Sequence, residues 1–289
     1  MALLFLPVGL SNRVHAVCRV QQSLQKRFSS SKRWQARQLK DHFTREAAVQ
    51  GLKSRAAFKL LQIDEKYRVF KSGQTVVDLG YAPGSWSQVA LTRTQPNGRV
   101  LGVDIIPSQP PKGVSTIQGN FLDPEVQAYV RDFVRNPRRG RPYSQGMQQK
   151  VQDQERIVES VLEASCIGDN LGENYNGSPD AQRTVDVVLS DMMMNTSGVP
   201  FRDHAGSMDL CRAALEFSFE VLKVGGHFVC KFYQGAEDKD LERQIKVLFQ
   251  KVHRLKPESS RSQESKEAYF IALDRKPHTK KQDLLTGSL

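Results

Sequence analysis

Short apolar runs alternate along the chain with stretches in which apolar residues recur every three or four positions. The short runs are rich in β-branched residues, as are strands buried on both faces of a parallel sheet, and the longer stretches are typical of amphipathic helices. The predicted strands are 75–79, 99–105, 115–121, 184–191, 227–233, a short strand near 253–255, and 267–273. The predicted helices are 54–63, 86–93, 124–135, 207–223 and 240–252. This alternation indicates one large α/β domain.

The best-defined turn follows the first predicted strand. Gly80 and Gly84 permit backbone angles that other residues avoid, and Pro83 fixes one φ between them. Ser85 is a predicted N-cap for the helix that follows. At the carboxyl edge of a parallel sheet, such a strand–turn–helix unit lets a nucleotide-like ligand approach bare backbone and a helix N-terminus. The pattern therefore predicts a cofactor site.

Asp104 lies at the end of the second predicted strand, 20 positions after Gly84. A carboxylate at this spacing is suited to bind the hydroxyls of a ribose. Considered alone, Asp104 could equally well be the first residue of a turn before Pro107. The preceding strand–turn–helix unit favours a ribose-binding role. The turn has one glycine fewer than G-x-G-x-x-G, which disfavours a dinucleotide.

The turn and its flanks have the sequence Asp78-Leu79-Gly80-x-Ala82-Pro83-Gly84-x-Trp86-Ser87-Gln88. This sequence resembles the first motif of S-adenosylmethionine-dependent methyltransferases, specifically that of the FtsJ/RrmJ family of RNA ribose 2′-O-methyltransferases. The resemblance implies a Rossmann-like class I α/β fold with a mostly parallel seven-stranded sheet and an antiparallel last strand. It also implies S-adenosyl-L-methionine as cofactor, bound by Pro83, Gly84, Ser85, Trp86, Asp104, Asn120, Phe121 and Asp191.

Four residues match the family's K-D-K-E catalytic tetrad in order and context. Lys59 lies in the segment Ser-Arg-Ala-Ala-Phe-Lys-Leu ahead of the turn, and Asp191 and Lys231 lie at or near the ends of predicted strands. Glu267 is the first residue of the last strand. If that strand is antiparallel, Glu267 lies at the same edge of the sheet. Singly these residues have simple explanations as a surface lysine, a turn aspartate, a strand-end lysine and an edge glutamate.

The resemblance implies a role for each member of the tetrad. Lys231 is the expected general base, and Lys59 is expected to position the ribose and to bias Lys231. Asp191 and Glu267 are expected to orient Lys231. A lysine can accept a proton near neutral pH if burial and a second cation lower its pKa to about 7–8, so we expect a lowered pKa for Lys231.

Three features depart from the family pattern. Asn120 stands where aspartate is usual, although its amide oxygen can still accept a hydrogen bond. Met193 and Met194 replace a small residue and a proline; we expect the three methionines Met192, Met193 and Met194 in the core, and a soft wall beside the methyl donor is the alternative. Residues 136–183 form a polar insertion, expected to be mobile, with an RNA- or partner-binding arm as the alternative.

Residues 1–40 have the composition of a mitochondrial transit peptide, with eight Lys or Arg, several serines and no acidic residue. They account for eight of the +11 net charge, which leaves +3 for residues 41–289. RNA contact must therefore depend on a local patch, and the candidate cluster is Lys53, Arg55, Lys59, Lys66, Arg68 and Lys71. Residues 1–10 are apolar but too short to span a bilayer, so no stable membrane insertion is expected. Residues 276–289 are predicted to be a loose tail.

The cysteines and histidines do not predict a metal site. Cys166, Cys211 and Cys230 lack the paired spacing of zinc ligands or of a disulfide framework, and the six histidines are scattered.

With the resemblance, these features predict an enzyme that methylates a ribose 2′-hydroxyl, expected to be a uridine's, in mitochondrial large-subunit rRNA. The partner would be that RNA or a large-subunit precursor in the mitochondrial matrix. Two alternatives stay open: an RNA-binding assembly factor that keeps the cofactor pocket without catalysis, and a methyltransferase that acts on protein or small molecules. For the latter, Lys59 and Glu267 would have no reason to join the site.

Overall fold

The computed structural model describes residues 41–136, 139–141, 183–260 and 265–286. These residues form a single seven-stranded sheet with helices on both faces. The strands are β1 (Thr75–Leu79), β2 (Arg99–Asp104), β3 (Ser115–Gln118), β4 (Val185–Ser190), β5 (Leu222–Tyr233), β6 (Phe249–Leu255) and β7 (Glu267–Arg275). The helices are α1 (His42–Val49), α2 (Ala56–Tyr67), α3 (Ser85–Thr94), α4 (Pro124–Arg135), α5 (Pro200–Val221), α6 (Asp238–Leu248) and α7 (Lys281–Thr286).

β1 is an interior strand of the sheet, whose order is β3-β2-β1-β4-β5-β7-β6. It pairs in parallel with β2 and β4, and all five of its residues are buried. β7 runs antiparallel to both of its neighbours, β5 and β6. The predicted fold, a mostly parallel seven-stranded α/β sheet with an antiparallel last strand, is confirmed.

The core has two parts because successive side chains of a strand point to opposite faces of the sheet. Val77, Val188, Phe228 and Phe270 belong to one apolar cluster, with residues of α4, α5 and α6. Val76, Val187, Val229 and Ile271 belong to the other, with residues of α2 and α3.

The same alternation fixes the face of every polar residue at the strand ends. Asp191 follows Leu189 by two positions, Lys231 follows Val229 by two, and Glu267 and Tyr269 precede Ile271 by four and two. All four therefore lie on the face that α2 and α3 cover. On this face Lys59 of α2 contacts Glu267 and the ring of Tyr269, both on β7.

Several elements begin or end elsewhere than predicted. The short helix α1 was not predicted; Asp41 caps it by accepting a hydrogen bond from the Thr44 N–H at 3.3 Å. α5 begins at Pro200, seven residues before its predicted start, because proline is favoured in the first helical turn. β5 extends back through Gly225, whose φ of +77° allows the strand to bend instead of ending.

The segment after β7, predicted to be loose, contains α7. Its connection is held to the body of the protein by Lys276, whose Nζ donates to the Lys246 carbonyl at 2.6 Å. Lys281 in α7 pairs with Glu220 at 3.7 Å. β6 also begins at Phe249, earlier than expected, because α6 ends at Leu248.

The leader 1–40 and residues 142–182 of the insertion lie outside the described residues, so their predictions stay predictions. The residues that border the insertion contact the sheet. Arg99 at the start of β2 is 1 % exposed, and its guanidinium donates to the carbonyls of Val134 at 2.7 Å and Arg139 at 3.1 Å. The Arg139 guanidinium lies 4.7 Å from the centre of the Phe133 ring. Across the described ranges, no helix combines the length and apolarity needed to cross a membrane.

Candidate active site

The glycine turn lies at the carboxyl end of β1, as predicted. Gly84 has a φ of +107°, and a Cβ added there would lie 2.8 Å from the ring of Pro111, so the position requires glycine. Gly84, not Ser85, is the N-cap of α3; Ser85 is the first helical residue, and its Oγ lies 2.7 Å from Ser54 Oγ. No described side chain caps this helix, which leaves its first N–H groups for a ligand.

Asp104 connects this turn to the loop after β2. Its carboxylate oxygens accept hydrogen bonds from the Ala82 N–H and the Ile106 N–H, both at 2.9 Å. A carboxylate can accept roughly four hydrogen bonds, so two bonds to ribose hydroxyls can still be made. Asp104 therefore shapes the cofactor turn in addition to offering acceptors, a role that its sequence position did not reveal.

Other predicted cofactor residues contribute unequally to this surface. Pro83 is exposed at the turn, and Asn120 is exposed after β3 with its Oδ1 accepting from the Leu122 N–H at 3.1 Å. The Phe121 side chain is buried and packs edge-on against Phe217, with 5.2 Å between ring centres. Trp86 is buried too, and its Nε1 donates to the Ala56 carbonyl at 2.9 Å. Because their side chains are buried, Phe121 and Trp86 can contact a ligand only through their backbone.

Asp78 lies beneath the turn and is completely buried. Its Oδ2 accepts a hydrogen bond from Ser87 Oγ at 2.6 Å, and its Oδ1 has no partner within the described residues. Burial raises the pKa of Asp78 to about 7, against the lowering effect of the Ser87 bond. An unpartnered buried carboxylate oxygen is costly unless a ligand or water completes it.

The four tetrad residues form two lysine–carboxylate pairs at the same edge. Lys59 Nζ lies 2.5 Å from Glu267 Oε1, and Lys231 Nζ lies 3.0 Å from Asp191 Oδ1. Lys231 also donates to the Asp191 carbonyl at 2.7 Å. The side chains are 7–19 % exposed, so a small substrate group can reach them while most surrounding water is excluded.

Tyr269 joins the two pairs, and sequence reasoning missed it. Its hydroxyl lies 3.0 Å from Glu267 Oε1 and 3.3 Å from Asp191 Oδ1, and the residue is completely buried. Burial, followed by the two nearby carboxylates, raises the pKa of Tyr269 well above its usual value, so it stays a donor. The available signal was its position two residues after Glu267, which places both side chains on one face.

The expected lowered pKa of Lys231 is wrong for the protein without ligands. Burial is the largest single influence and lowers the pKa, but the charges of Asp191 and Glu267, the hydrogen bond to Asp191 and the nearby Tyr233 together outweigh it, so the pKa of Lys231 is raised. Lys59 forms its own pair with Glu267, and its expected influence on Lys231 stays a prediction. For Glu267, burial alone would raise the pKa. The charges of Lys59 and then Lys231 lower it by more, so the pKa of Glu267 is below its usual value.

The loop after β4 closes one side of the site. A Cβ on Gly80 would lie 2.7 Å from the Met192 backbone, so the loop and the glycine turn are in close contact. Met192 packs against the core, as expected of the methionines, but Met193 is 58 % exposed. The core assignment therefore holds for Met192 and is wrong for Met193.

The predicted basic cluster is divided between the two ends of α2. Before the helix, Lys53 donates to the Gln109 carbonyl and Arg55 pairs with Asp41. Lys66 lies in the last turn, 5.4 Å from the centre of the Tyr67 ring. Only the first end of the cluster adjoins the lysine–carboxylate pairs. No group of three or more His, Cys, Asp or Glu in the described part of the chain is arranged to hold a metal ion.

A glycine turn and an acidic strand end beside paired lysines and carboxylates, on a sheet with an antiparallel last strand, define a class I methyltransferase. The FtsJ-like methyltransferase family model matches residues 52–275, and the chain belongs to this family. A Plasmodium falciparum structure described as a ribosomal RNA methyltransferase has the same fold, with a TM-score of 0.56 and 24 % identity over 77 % of this chain and 98 % of that one.

Among curated relatives, "rRNA methyltransferase 2, mitochondrial" of Saccharomyces cerevisiae is 39 % identical over 90 % of this chain and 92 % of its own length. The Schizosaccharomyces pombe protein of the same name is 37 % identical over 84 % and 96 %. "Ribosomal RNA large subunit methyltransferase E" of Gluconobacter oxydans is 34 % identical over 87 % and 75 %. The first two names agree with the predicted leader and confirm the mitochondrial localisation.

Proposed function

We propose that this protein transfers a methyl group from S-adenosyl-L-methionine to the 2′-hydroxyl of a uridine in mitochondrial large-subunit rRNA. The substrate is the free RNA or an assembling large subunit in the matrix. The observation that carries the proposal is the pair of buried ion pairs, Lys59–Glu267 and Lys231–Asp191, joined by Tyr269 beside the glycine turn.

The residues of the turn fit the proposed cofactor. Asp104 has acceptor capacity for the ribose hydroxyls, and the unpartnered Oδ1 of Asp78 lies below the turn, suited to a cationic amino group. Gly84 presents bare backbone at the helix N-terminus. Pro83, Ser85, Trp86, Asn120, Phe121 and Asp191 border the same surface, and we propose them as the remaining contacts.

The bound cofactor would supply an activated methyl group on a sulfonium, so the protein has to activate and align the acceptor. A ribose 2′-hydroxyl becomes a good nucleophile only when a base takes its proton. Lys231 is in position to do so once it has released its own proton to solvent. A sulfonium bound close to Lys231 would favour this release, because a nearby like charge lowers the pKa of an ammonium group.

Lys59 and the carboxylates keep the site aligned. Asp191 holds Lys231 by two contacts, through its carboxylate and its carbonyl, which fixes the direction of the amine. Glu267 forms an ion pair with Lys59, and the Lys59 ammonium keeps further N–H groups that can donate to a ribose oxygen. Alignment of this kind contributes much of the rate in transfer reactions.

The test is a transfer assay with labelled cofactor on the purified protein. Large-subunit rRNA fragments, protein and small-molecule pools are compared, and the product nucleotide is mapped for ribose methylation. Label at a uridine 2′-oxygen is the expected result. Label on protein or small molecules would overturn the RNA assignment, and tight rRNA binding without transfer would identify a non-catalytic assembly factor.

The cofactor placement is tested by Asp104→Ala, with Asp132→Ala as a control in which an exposed carboxylate of α4 is lost. Loss of a charge-assisted pair to ribose should weaken binding by roughly 1.5–3 kcal/mol. Isothermal titration calorimetry measures the affinity, and circular dichroism reports whether the turn variant stays folded. An affinity equal to that of wild type would count against the placement.

A further inference from the structure

A pocket of about 250 Å³ adjoins the lysine–carboxylate site and is not used by the transfer chemistry. Its lining includes Pro200, Tyr233, Gln234 and Lys266. Tyr233 follows Lys231 by two residues on β5 and pairs in register with Glu267 of β7. Its side chain therefore lies on the same face of the sheet as the tetrad, and this wall of the pocket is next to Glu267.

Backbone contacts hold the pocket in shape without a ligand. The Gln234 N–H donates to the Lys266 carbonyl at 2.9 Å, and the Tyr233 N–H donates to Ser207 Oγ at 3.0 Å. On the other wall, the buried Asp203 carboxylate accepts from the N–H groups of Ser197 at 2.7 Å and Gly198 at 3.2 Å. A site held in this way needs little reorganisation when it binds.

The lining suits a flat heteroaromatic group with polar edges. Tyr233 and Pro200 offer apolar surface, and the Gln234 amide offers both a donor and an acceptor. Within the described residues no hydrogen bond to that amide is made, whereas the Gln234 backbone is fixed. Lys266 is exposed at the rim and supplies a positive charge for a phosphate.

We propose that this pocket binds the base of the nucleotide whose 2′-hydroxyl is methylated, with Gln234 hydrogen-bonded to the edge of the base. The base is attached to the ribose carbon next to the one that carries the reacting hydroxyl, so a ribose at Lys231 places its own base in adjoining space. This inference rests on the proposed function and assigns the part of the site that recognises the target nucleotide.

The experiment combines a variant of the protein with a variant of the RNA. Single-turnover methyl transfer is measured for wild type and Gln234→Ala on an rRNA fragment, and on the same fragment with an abasic ribonucleotide at the target position. On the intact fragment, Gln234→Ala should be slower by roughly tenfold, the effect of one lost hydrogen bond. On the abasic fragment both proteins should be equally slow, because the contact is already gone.

Controls separate this inference from the proposed function. Gln250→Ala, at an exposed glutamine of the edge strand β6, should behave as wild type on both fragments, and cofactor affinity should not change in either variant. A Gln234→Ala effect that persists undiminished on the abasic target, or that disappears only when a neighbouring nucleotide is abasic, would overturn the inference. Absence of transfer by wild type to any rRNA would instead remove the proposed function.

Discussion

β4 and β5 carry the same kind of ion pair at both ends. At the carboxyl edge Lys231 pairs with Asp191 at 3.0 Å, and at the amino edge Lys223 pairs with Asp186 at 2.8 Å. The two lysines differ in exposure, 7 % for Lys231 and 46 % for Lys223. Asp186 also accepts a hydrogen bond from the Thr75 N–H at 2.8 Å, so it helps to fix the start of β1.

The two lysine–aspartate pairs have similar distances but differ in burial, so their comparison shows the effect of burial. An exposed pair contributes about 0–1 kcal/mol to stability and leaves its lysine solvated. A buried pair carries a desolvation cost that its mutual attraction barely offsets, so stability alone does not explain why it is there. At the carboxyl edge that cost falls on residues beside the glycine turn, where the proposed mechanism needs a poised amine.

The largest effect is expected when the two lysines are replaced in parallel. Lys231→Met keeps most of the side-chain volume and removes the amine, so methyl transfer should fall by about 10²–10⁴-fold while cofactor affinity survives. Lys223→Met should leave transfer within about twofold of wild type, because its pair is a surface contact. Single-turnover transfer and calorimetry measure the two quantities.

Two outcomes would contradict this contrast. Near-normal transfer by Lys231→Met would remove the general base from the mechanism. Equal losses of cofactor affinity and of rate would make Lys231 a structural residue.

A second experiment replaces the two aspartates. Because the charge of Asp191 raises the pKa of Lys231, Asp191→Asn should lower that pKa. Neutral Lys231 is then present at lower pH, so the rising limb of the rate–pH profile should move to lower pH. The maximal rate should fall by roughly tenfold or more, as an orienting charge-assisted bond is lost.

Asp186→Asn serves as the control, since it removes the equivalent charge from the opposite edge. Its rate–pH limb should stay in place, and its effect should appear in thermal stability. A limb that moved equally in both variants would mean that net charge, not the local pair, controls Lys231.

The smallest effect is expected for Tyr269→Phe, which removes only the hydroxyl between the two carboxylates. Turnover should fall by roughly threefold to tenfold, in line with one lost hydrogen bond to a charged group shared by two acceptors. Cofactor affinity should be unchanged, and the maximal rate rather than KM should carry the loss. An effect on KM alone would show that Tyr269 shapes RNA binding and does not align the pairs.

Sequence patterns were sufficient for the sheet and for the residues at its edge. β1 is a run of five buried residues and β4 is a β-branched run, so both strands and the turn after β1 could be predicted from the sequence. The starts of α5 and β5 could not be predicted, because Pro200 and Gly225 act through local backbone geometry that competes with composition.

The direction of the Lys231 pKa could not be predicted from residue types. Burial lowers it, the charges of Asp191 and Glu267 raise it, and the outcome depends on distances of a few ångströms. Tyr269 was missed for a related reason: a tyrosine in an apolar strand looks like core, and only the fold shows that its hydroxyl meets both carboxylates.

Of the described strands β7 is the last to be synthesised, yet it inserts between β5 and β6. Until it emerges from the ribosome, β5 and β6 have no common partner, and Lys59 has neither Glu267 nor the Tyr269 ring beside it. The nascent chain can therefore build its glycine turn early but does not yet hold the complete proposed transfer site. A chain that stops just before Glu267 lacks the strand that completes both the sheet and the proposed tetrad, so the last described strand to join the sheet is also the one that completes the site.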